Sequence, residues 1–250
     1  MLFGWTRLAI RWKKALPVCP GSFAKSWDCD FWQKERTKPA MKMTPLYRFA
    51  KIVPSWFARP IVPYRVRGRE NIPKEGAAIL CINHIRNSDP VRIFLSCRRQ
   101  VFFLGKQELF KNKFISWVLR NVGVIPIQRG RSDLGAISSA GQHLQRGDLL
   151  GVFIEGTRSK DGTLGKPKAG AAMLAWRYHV PVIPCCITAR GEHLPKTFEK
   201  CCVTYGKPII PEDLGLKDGK SSEFREASRL IMDRIRAIRE EDLKTFEKGA

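Results

Sequence analysis

Residues 79–90 of this 250-residue chain read ILCINHIRNSDP, an apolar run that stops abruptly at a polar cluster. The run is typical of a buried strand, and Asp89 followed by Pro90 is a common helix start. His84 can take a proton from a hydroxyl, and a carboxylate five residues on can fix its tautomer and stabilise the imidazolium. Asp89 is therefore either a helix cap or the partner of a general base. The two roles are compatible if one oxygen accepts backbone N–H bonds and the other accepts His84.

From residue 64 onward, short apolar runs alternate with segments of helical period. The predicted strands are 64–67, 78–82, 101–104, 122–127, 150–154, 182–188 and 202–205, and the predicted helices are 90–97, 113–120, 133–145, 168–178 and about 223–244. Strands separated by helices of this length indicate an α/β domain whose sheet is mixed, largely parallel and flanked by helices. In such a sheet the loops that leave the strand ends hold the ligands.

The net charge is +22, from 45 Lys and Arg against 23 Asp and Glu. This charge attracts nucleic acid, anionic lipid headgroups or phosphorylated metabolites, and by itself it does not choose among them. The basic residues are dispersed and no nucleic-acid motif is evident, which disfavours a nucleic-acid-binding protein. The eight cysteines show no C-x-x-C spacing, and four of them form adjacent pairs at 185–186 and 201–202. We therefore predict reduced, mostly buried thiols in a cytosolic compartment and no metal site.

Residues 1–43 form a separate leader in which four tryptophans are interleaved with arginine and lysine. The first part has the pattern of a helix lying in a membrane interface, and Thr44 followed by Pro45 opens a second amphipathic helix. In that helix Leu46 and Phe49 belong to the apolar stripe and Lys51 points outward. Both helices either bind an anionic membrane surface or cover the domain, and their tryptophan and basic content favours the membrane. No apolar segment is long enough to span a bilayer, so we predict a peripheral protein.

Three further predicted strands end in basic or polar groups that can complete a site around His84. Glu155, Gly156, Thr157 and Arg158 follow one strand, and they can approach a ligand closely, offer a hydroxyl and grip a phosphate. The alternative for this loop is a turn with an internal Glu155–Arg158 ion pair. The other two strands end at Lys106 and Arg129, each of which alone is commonly just solvated. Together the three cations predict a pocket for a phosphate-bearing alcohol.

The remaining histidines, His143, His179 and His193, are interpreted as structural or solvent-facing, and no metal-ligand spacing joins them. The Gly-x-Ser-x-Gly elbow and the Walker phosphate loop are both absent from the sequence. A serine hydrolase and a P-loop kinase are therefore disfavoured.

Four blocks of the chain resemble those of the 1-acylglycerol-3-phosphate acyltransferase family, in family order. They are NH at 83–84 with DP at 89–90, GVIPIQR at 123–129, FIEGTRS at 153–159 and VPVIP at 180–184. The resemblance covers residues 46–208 and implies a single α/β acyltransferase domain, here 44–250, preceded by the amphipathic helices. Ile154 replaces a usual proline, and Arg86 adds an uncommon charge that bears on acceptor choice. Residues 1–43 lie outside the resemblance.

The resemblance implies that His84 is the general base on the free hydroxyl of lysophosphatidic acid and that Asp89 orients it. The residues Glu155, Gly156, Thr157, Arg158, Arg129 and Lys106 would hold the acceptor. Acyl-CoA or acyl carrier protein would be the donor, with no cofactor and no metal. Phosphatidic acid would form at the cytoplasmic face of the cell membrane. The alternatives are an acyltransferase that uses glycerol 3-phosphate or another lysolipid, and a non-catalytic nucleic-acid-binding protein.

Overall fold

The computed structural model describes residues 43–49, 51, 60–127, 134–191, 194–195 and 198–248. All of them belong to one compact unit, Glu35–Ala250. The predicted interfacial helix of the leader and Arg129 lie outside the described residues. The boundary drawn after residue 43 stays a prediction.

From Tyr64 onward, seven strands and five α-helices follow one another along the described chain. The strands are β1 Tyr64–Arg67, β2 Ala78–Ile82, β3 Val101–Lys106, β4 Val124–Ile127, β5 Leu149–Phe153, β6 Val182–Thr188 and β7 Cys201–Tyr205. The helices are α1 Asp89–Ser96, α2 Lys113–Asn121, α3 Leu134–Gln145, α4 Gly170–Tyr178 and α5 Ser221–Lys248. Each corresponds to a predicted element with its ends moved by a few residues.

The seven strands form one sheet in the order β1-β7-β6-β2-β5-β3-β4. The five strands from β6 to β4 are mutually parallel, β7 is antiparallel to β6, and β1 is parallel to β7. The prediction of a mixed, largely parallel sheet is confirmed. The central strands β2 and β6 are buried along their whole length, which explains why they read as continuous apolar runs without alternation.

Helices cover both faces of the sheet and enclose two apolar cores. One core lies between the sheet and α3, α4 and α5, and the other lies on the α1 side. The adjacent Cys185 and Cys186 point into opposite cores, as the alternation of a strand requires. The six cysteines of the described residues are free and buried, which confirms the prediction for those thiols.

The predicted helix after Thr44 is present at residues 45–49 and 51, and Thr44 caps it by accepting the N–H of Tyr47 at 3.2 Å. Its packing differs from the prediction. Tyr47 is fully buried with its ring 4.7 Å from Phe94, Phe49 is exposed, and Lys51 donates to the carbonyl of Cys97 instead of pointing outward. Tyr47 is buried in preference to Phe49 because its hydroxyl also bonds the carbonyl of Arg99 and the N–H of Val101. These contacts favour the alternative in which this helix covers the domain.

Within the described ranges, each helix is too short or too polar to cross a bilayer.

Candidate active site

His84 and Asp89 form a hydrogen-bonded pair where β2 ends and α1 begins. Nδ1 of His84 lies 2.9 Å from Oδ2 of Asp89, whose side chain is fully buried, whereas the imidazole keeps 16% exposure. If Nδ1–H donates to the carboxylate, the lone pair remains on Nε2, where an incoming hydroxyl can meet it. The pair therefore has the connectivity of a base and its orienting carboxylate.

Asp89 is not the cap of α1, because Ser88 holds the N-cap position and Asp89 is the first helical residue. Its Oδ2 accepts the N–H groups of Ile85 and Arg86, at 2.8 and 2.7 Å, in addition to His84. The expected division of backbone and imidazole between two oxygens is therefore wrong, since Oδ2 takes all three bonds. Three donors on one oxygen hold the loop 84–86 and the imidazole in one arrangement.

The second oxygen of Asp89 faces a buried cation that the sequence analysis missed. Nη1 of Arg92 lies 3.4 Å from Oδ1 of Asp89 and donates to the hydroxyl of Ser88 at 2.7 Å. Arg92 is only 2% exposed, and its Nε lacks a hydrogen-bond partner among the described residues. Because residues three apart share one face of a helix, the spacing of Asp89 and Arg92 was the available signal.

Two neighbours fix the backbone and the ring of the dyad. The side chain of Asn83 pairs with both backbone groups of Ile187, at 2.8 and 3.0 Å, and so continues the β2–β6 ladder by one position. The His84 ring stacks on Phe153 with centroids 4.0 Å apart. Ile82 and Phe153 are register partners on β2 and β5, so strand pairing brings the two motif blocks together.

Glu155 links the loop after β5 to the dyad. One of its carboxylate oxygens accepts the N–H of His84 at 3.2 Å, and the other accepts the N–H of Gly165 at 3.0 Å. A Cβ at Gly165 would stand 2.8 Å from this carboxylate, so the close approach requires glycine. Burial raises the pKa of Glu155, and the two N–H bonds partly oppose that rise. Both described partners of this carboxylate are thus backbone groups.

The rest of the EGTR block, residues 155–158, turns outward. Gly156 has φ of 71°, in the left-handed region that favours glycine, and this turns the chain so that Thr157 and Arg158 are exposed. Among the described ion pairs, none joins Glu155 to Arg158, so the alternative of an internal pair is wrong. Arg158 remains available to a ligand.

An open cleft of about 340 Å³ lies beside this block. Its lining combines the predicted Glu155, Thr157 and Arg158 with three cations that the sequence analysis did not select, Lys160, Lys166 and Lys168. Those lysines were visible as a basic run in residues 158–168. His84 is tied to the wall of the cleft, since its N–H bonds Glu155 and its carbonyl accepts the N–H of Ser159 at 2.8 Å.

Lys106 ends β3, which lies two strands from β2, and its side chain is exposed. With strands about 4.8 Å apart, its backbone lies about 10 Å along the same sheet edge from the dyad. The structure thus brings together His84, Asp89 and the EGTR block, with Lys106 further out. The assignment of these residues to catalysis and binding stays a prediction.

A second His–Asp pair with the same spacing occurs at the opposite ends of the parallel strands, where they begin. Nδ1 of His143 lies 2.8 Å from Oδ2 of Asp148, five residues on, and its ring lies tilted against Phe102 with centroids 4.3 Å apart. Asp148 directly precedes β5, whereas His84 follows the end of the parallel strand β2. His-x4-Asp spacing is therefore not sufficient to identify a site, and this pair joins the end of α3 to the sheet.

The acyltransferase family profile matches residues 63–188, which are 126 of the 250 residues, and the chain belongs to that family. The family inferred from the four sequence blocks is thereby confirmed.

Particular relatives carry more specific names. The chain is 29% identical over 145 residues to the chloroplastic 1-acyl-sn-glycerol-3-phosphate acyltransferase BAT2 of Brassica napus, covering 56% of this chain and 42% of that one. It is 28% identical over 153 residues to the 1-acyl-sn-glycerol-3-phosphate acyltransferase of Bacillus subtilis, covering 60% and 75%. The matched region spans less than half of the length of the plant relatives.

A solved structure resembles the whole domain. It is the crystal structure of the 1-acyl-sn-glycerophosphate (LPA) acyltransferase PlsC from Thermotoga maritima. The TM-score is 0.61 at 26% identity, covering 80% of this chain and 78% of that one. The α/β acyltransferase fold predicted from the sequence is confirmed.

Proposed function

We propose that the protein transfers a fatty acyl group from an acyl thioester to the free hydroxyl of 1-acylglycerol 3-phosphate, forming phosphatidic acid for phospholipid synthesis. One observation carries the proposal: the backbone of His84, whose imidazole pairs with Asp89, is hydrogen-bonded to Glu155 and Ser159 in the wall of a cleft that is also lined by Arg158 and three lysines. A base beside a cationic cleft suits an alcohol that carries phosphate. The names of the relatives agree with this acceptor.

In the proposed reaction, Nε2 of His84 takes the proton of the acceptor hydroxyl as its oxygen attacks the thioester carbonyl. The carbon–sulfur bond breaks, an ester forms, and the proton on His84 passes to the leaving thiolate. Asp89 stabilises the imidazolium that exists between the two proton transfers. The acyl group moves directly, so no acyl-enzyme forms.

The other residues divide between positioning and binding. Glu155 positions His84 through its backbone, because the described contacts of its carboxylate are N–H groups. Arg158 and the neighbouring lysines bind the acceptor phosphate, and Thr157 offers a hydroxyl to the glycerol. Lys106 extends the positive field around the site, and Arg129 keeps the binding role that the sequence motif predicts for it. The donor is acyl-CoA or acyl carrier protein, and the protein works as a peripheral enzyme at the cytoplasmic face of the membrane.

Replacement of His84 tests the mechanism, and the chain supplies a matched control. We expect His84→Ala to lower transfer from oleoyl-CoA to lysophosphatidate by at least about a thousandfold. The control is His143→Ala, because His143 also pairs with an aspartate five residues on and contacts a phenylalanine ring, but at the opposite ends of the strands. Circular dichroism establishes that both variants are folded. Substantial activity in folded His84→Ala, or an equal loss in both variants, contradicts the mechanism.

Glycerol 3-phosphate is the second candidate acceptor, favoured by the same cationic cleft and by the added charge of Arg86. An acceptor panel of lysophosphatidate, glycerol 3-phosphate and a neutral lysolipid distinguishes the two. A preference for lysophosphatidate supports the proposal. A preference for glycerol 3-phosphate would mean that the proposed acceptor is wrong and that the proposed mechanism still holds. Absence of acyl transfer together with tight, salt-sensitive DNA binding would instead favour the nucleic-acid alternative.

A further inference from the structure

Among the helices α1 to α5, α2 is the one that buries none of its residues. Its apolar side chains face outward instead. Phe114 is 72% exposed and Trp117 is 54% exposed, and their rings stack with centroids 6.3 Å apart. Ile115 and, in the preceding turn, Leu109 are about half exposed. These four residues are called the α2 patch, and such a cluster of large apolar side chains indicates a surface that a partner covers.

Basic residues surround the α2 patch. Lys111, Lys113 and Arg120 are exposed, and Glu108 is the single acidic residue between 106 and 121. Aromatic rings favour the headgroup zone of a bilayer, and lysines near its surface are attracted by anionic lipids. This combination fits a lipid surface better than an apolar protein partner, which would leave the cations without countercharge.

Helix α2 also begins close to the strand ends that carry His84. The side chain of Asn112 caps α2 by accepting the N–H groups of Phe114 and Ile115, at 2.9 and 3.1 Å. The preceding turn, Gln107–Phe110, begins where β3 ends, which is the edge of the sheet that carries His84. The start of α2 therefore lies at the edge from which substrate would enter.

We propose that the α2 patch docks this protein onto the surface of an anionic phospholipid bilayer. The aromatic side chains enter the headgroup zone while the surrounding lysines meet lipid phosphates. The proposal rests on the proposed function in one respect, since a lipid acceptor is the reason for bringing this edge to a membrane. Docking itself is measured without acyl transfer.

The test is sedimentation of the full chain with vesicles of phosphatidylcholine, alone or mixed with phosphatidylglycerol. We expect the double variant Phe114→Ala and Trp117→Ala to lower the partition coefficient on mixed vesicles by about tenfold, because burial of both rings is lost. Lys111→Ala with Lys113→Ala lowers it by roughly fivefold per lysine, on anionic vesicles only. The matched control is Arg225→Ala with Arg229→Ala, which removes the same charge from the exposed face of α5.

The outcomes of these measurements support or overturn the docking proposal as follows. Wild-type partition of the aromatic variant overturns the proposal, and so does an equal loss in the α5 control, which would assign binding to net charge. Light scattering tests a second copy as the occupant: a wild-type dimer that becomes a monomer in the aromatic variant also overturns it. If patch-dependent binding persists in a chain without acyltransferase activity, the proposed function fails and the docking surface stands.

Discussion

Arg92 sets the electrostatics of the dyad from inside the protein. Its buried guanidinium faces the oxygen of Asp89 that His84 does not use. A cation there compensates the charge of the buried carboxylate and holds Asp89 in place behind His84. The buried Cys201 also lies near Arg92 and Asp89, but burial raises the pKa of its thiol to about 11, so it stays neutral in the working range. Glu155 is a further ionisable group beside the pair, and the backbone N–H of Arg86 donates to Asp89.

Replacement of Arg92 is therefore expected to loosen the pair of His84 and Asp89. We expect kcat of Arg92→Met to fall by roughly tenfold to a hundredfold, because Asp89 loses the cation beside its second oxygen. Arg92→Lys keeps the charge and should restore part of the lost kcat. Steady-state kinetics with oleoyl-CoA and lysophosphatidate measure both variants. A folded Arg92→Met protein with an unchanged kcat would show that Arg92 serves packing alone.

At the scale of elements, one carboxylate of the long helix α5 holds three strands. Asp242 is 1% exposed and accepts the hydroxyls of Thr188 on β6 and Thr204 on β7, while Arg67 on β1 lies 3.3 Å away. The parallel pair β1–β7, which forms one side of the sheet, is thereby bound to the helix that covers β6. The neighbouring Glu241 also pairs with Arg67 but is exposed.

We expect Asp242→Ala to lower the free energy of unfolding by about 2 to 4 kcal/mol, because it leaves two hydroxyls without their acceptor and removes the buried one of the two carboxylates that pair with Arg67. The control is Glu241→Ala, which removes a charge from the same arginine at the surface and should cost under about 1 kcal/mol. Urea denaturation of both variants measures the difference. Equal losses would assign the effect to the charge of Arg67 and not to the buried network.

The contribution of Asp242 also depends on pH in a definite direction. Burial raises its pKa in the folded protein, so folding favours the protonated form. The stability from this group is fully present below the ordinary value near 3.8 and is lost as the pH rises through the folded pKa. The Tm difference between wild type and Asp242→Ala should therefore widen from pH 7 down to pH 4. A difference that narrows over that range contradicts the assignment.

For the whole molecule, the charge of +22 is combined with two separate candidate membrane contacts, the leader 1–43 and the α2 patch. Contacts on one chain that meet the same bilayer act together, so their losses in binding should multiply. We expect deletion of residues 1–43 to weaken binding to anionic vesicles, and deletion combined with Phe114→Ala and Trp117→Ala to weaken it further by about tenfold. Vesicle sedimentation across a salt series checks this. No further loss in the combined variant would mean that one of the two contacts is not used.

Much of the fold follows from local pattern. The continuous apolar runs of β2 and β6 and the helical periods between strands are properties of neighbouring residues, so element types and a largely parallel sheet were predictable. The cap at Thr44 was predictable for the same reason. Burial of Tyr47 instead of Phe49 was not predictable. It depends on the carbonyl of Arg99 and the N–H of Val101, which lie near the phenol hydroxyl only in the folded protein.

In the candidate site, the sequence by itself determined that a histidine, a carboxylate and several cations follow strand ends, because those are features of short segments. Only the tertiary structure decided that Ile82 pairs with Phe153, which places His84 beside Glu155 although they are 71 residues apart. It also decided that Arg92 stands behind Asp89 and that His143, with the same spacing to Asp148, lies at the far edge. The physical reason is that strand order and burial come from contacts distant along the chain, and a local pattern cannot specify which strand end lies beside which.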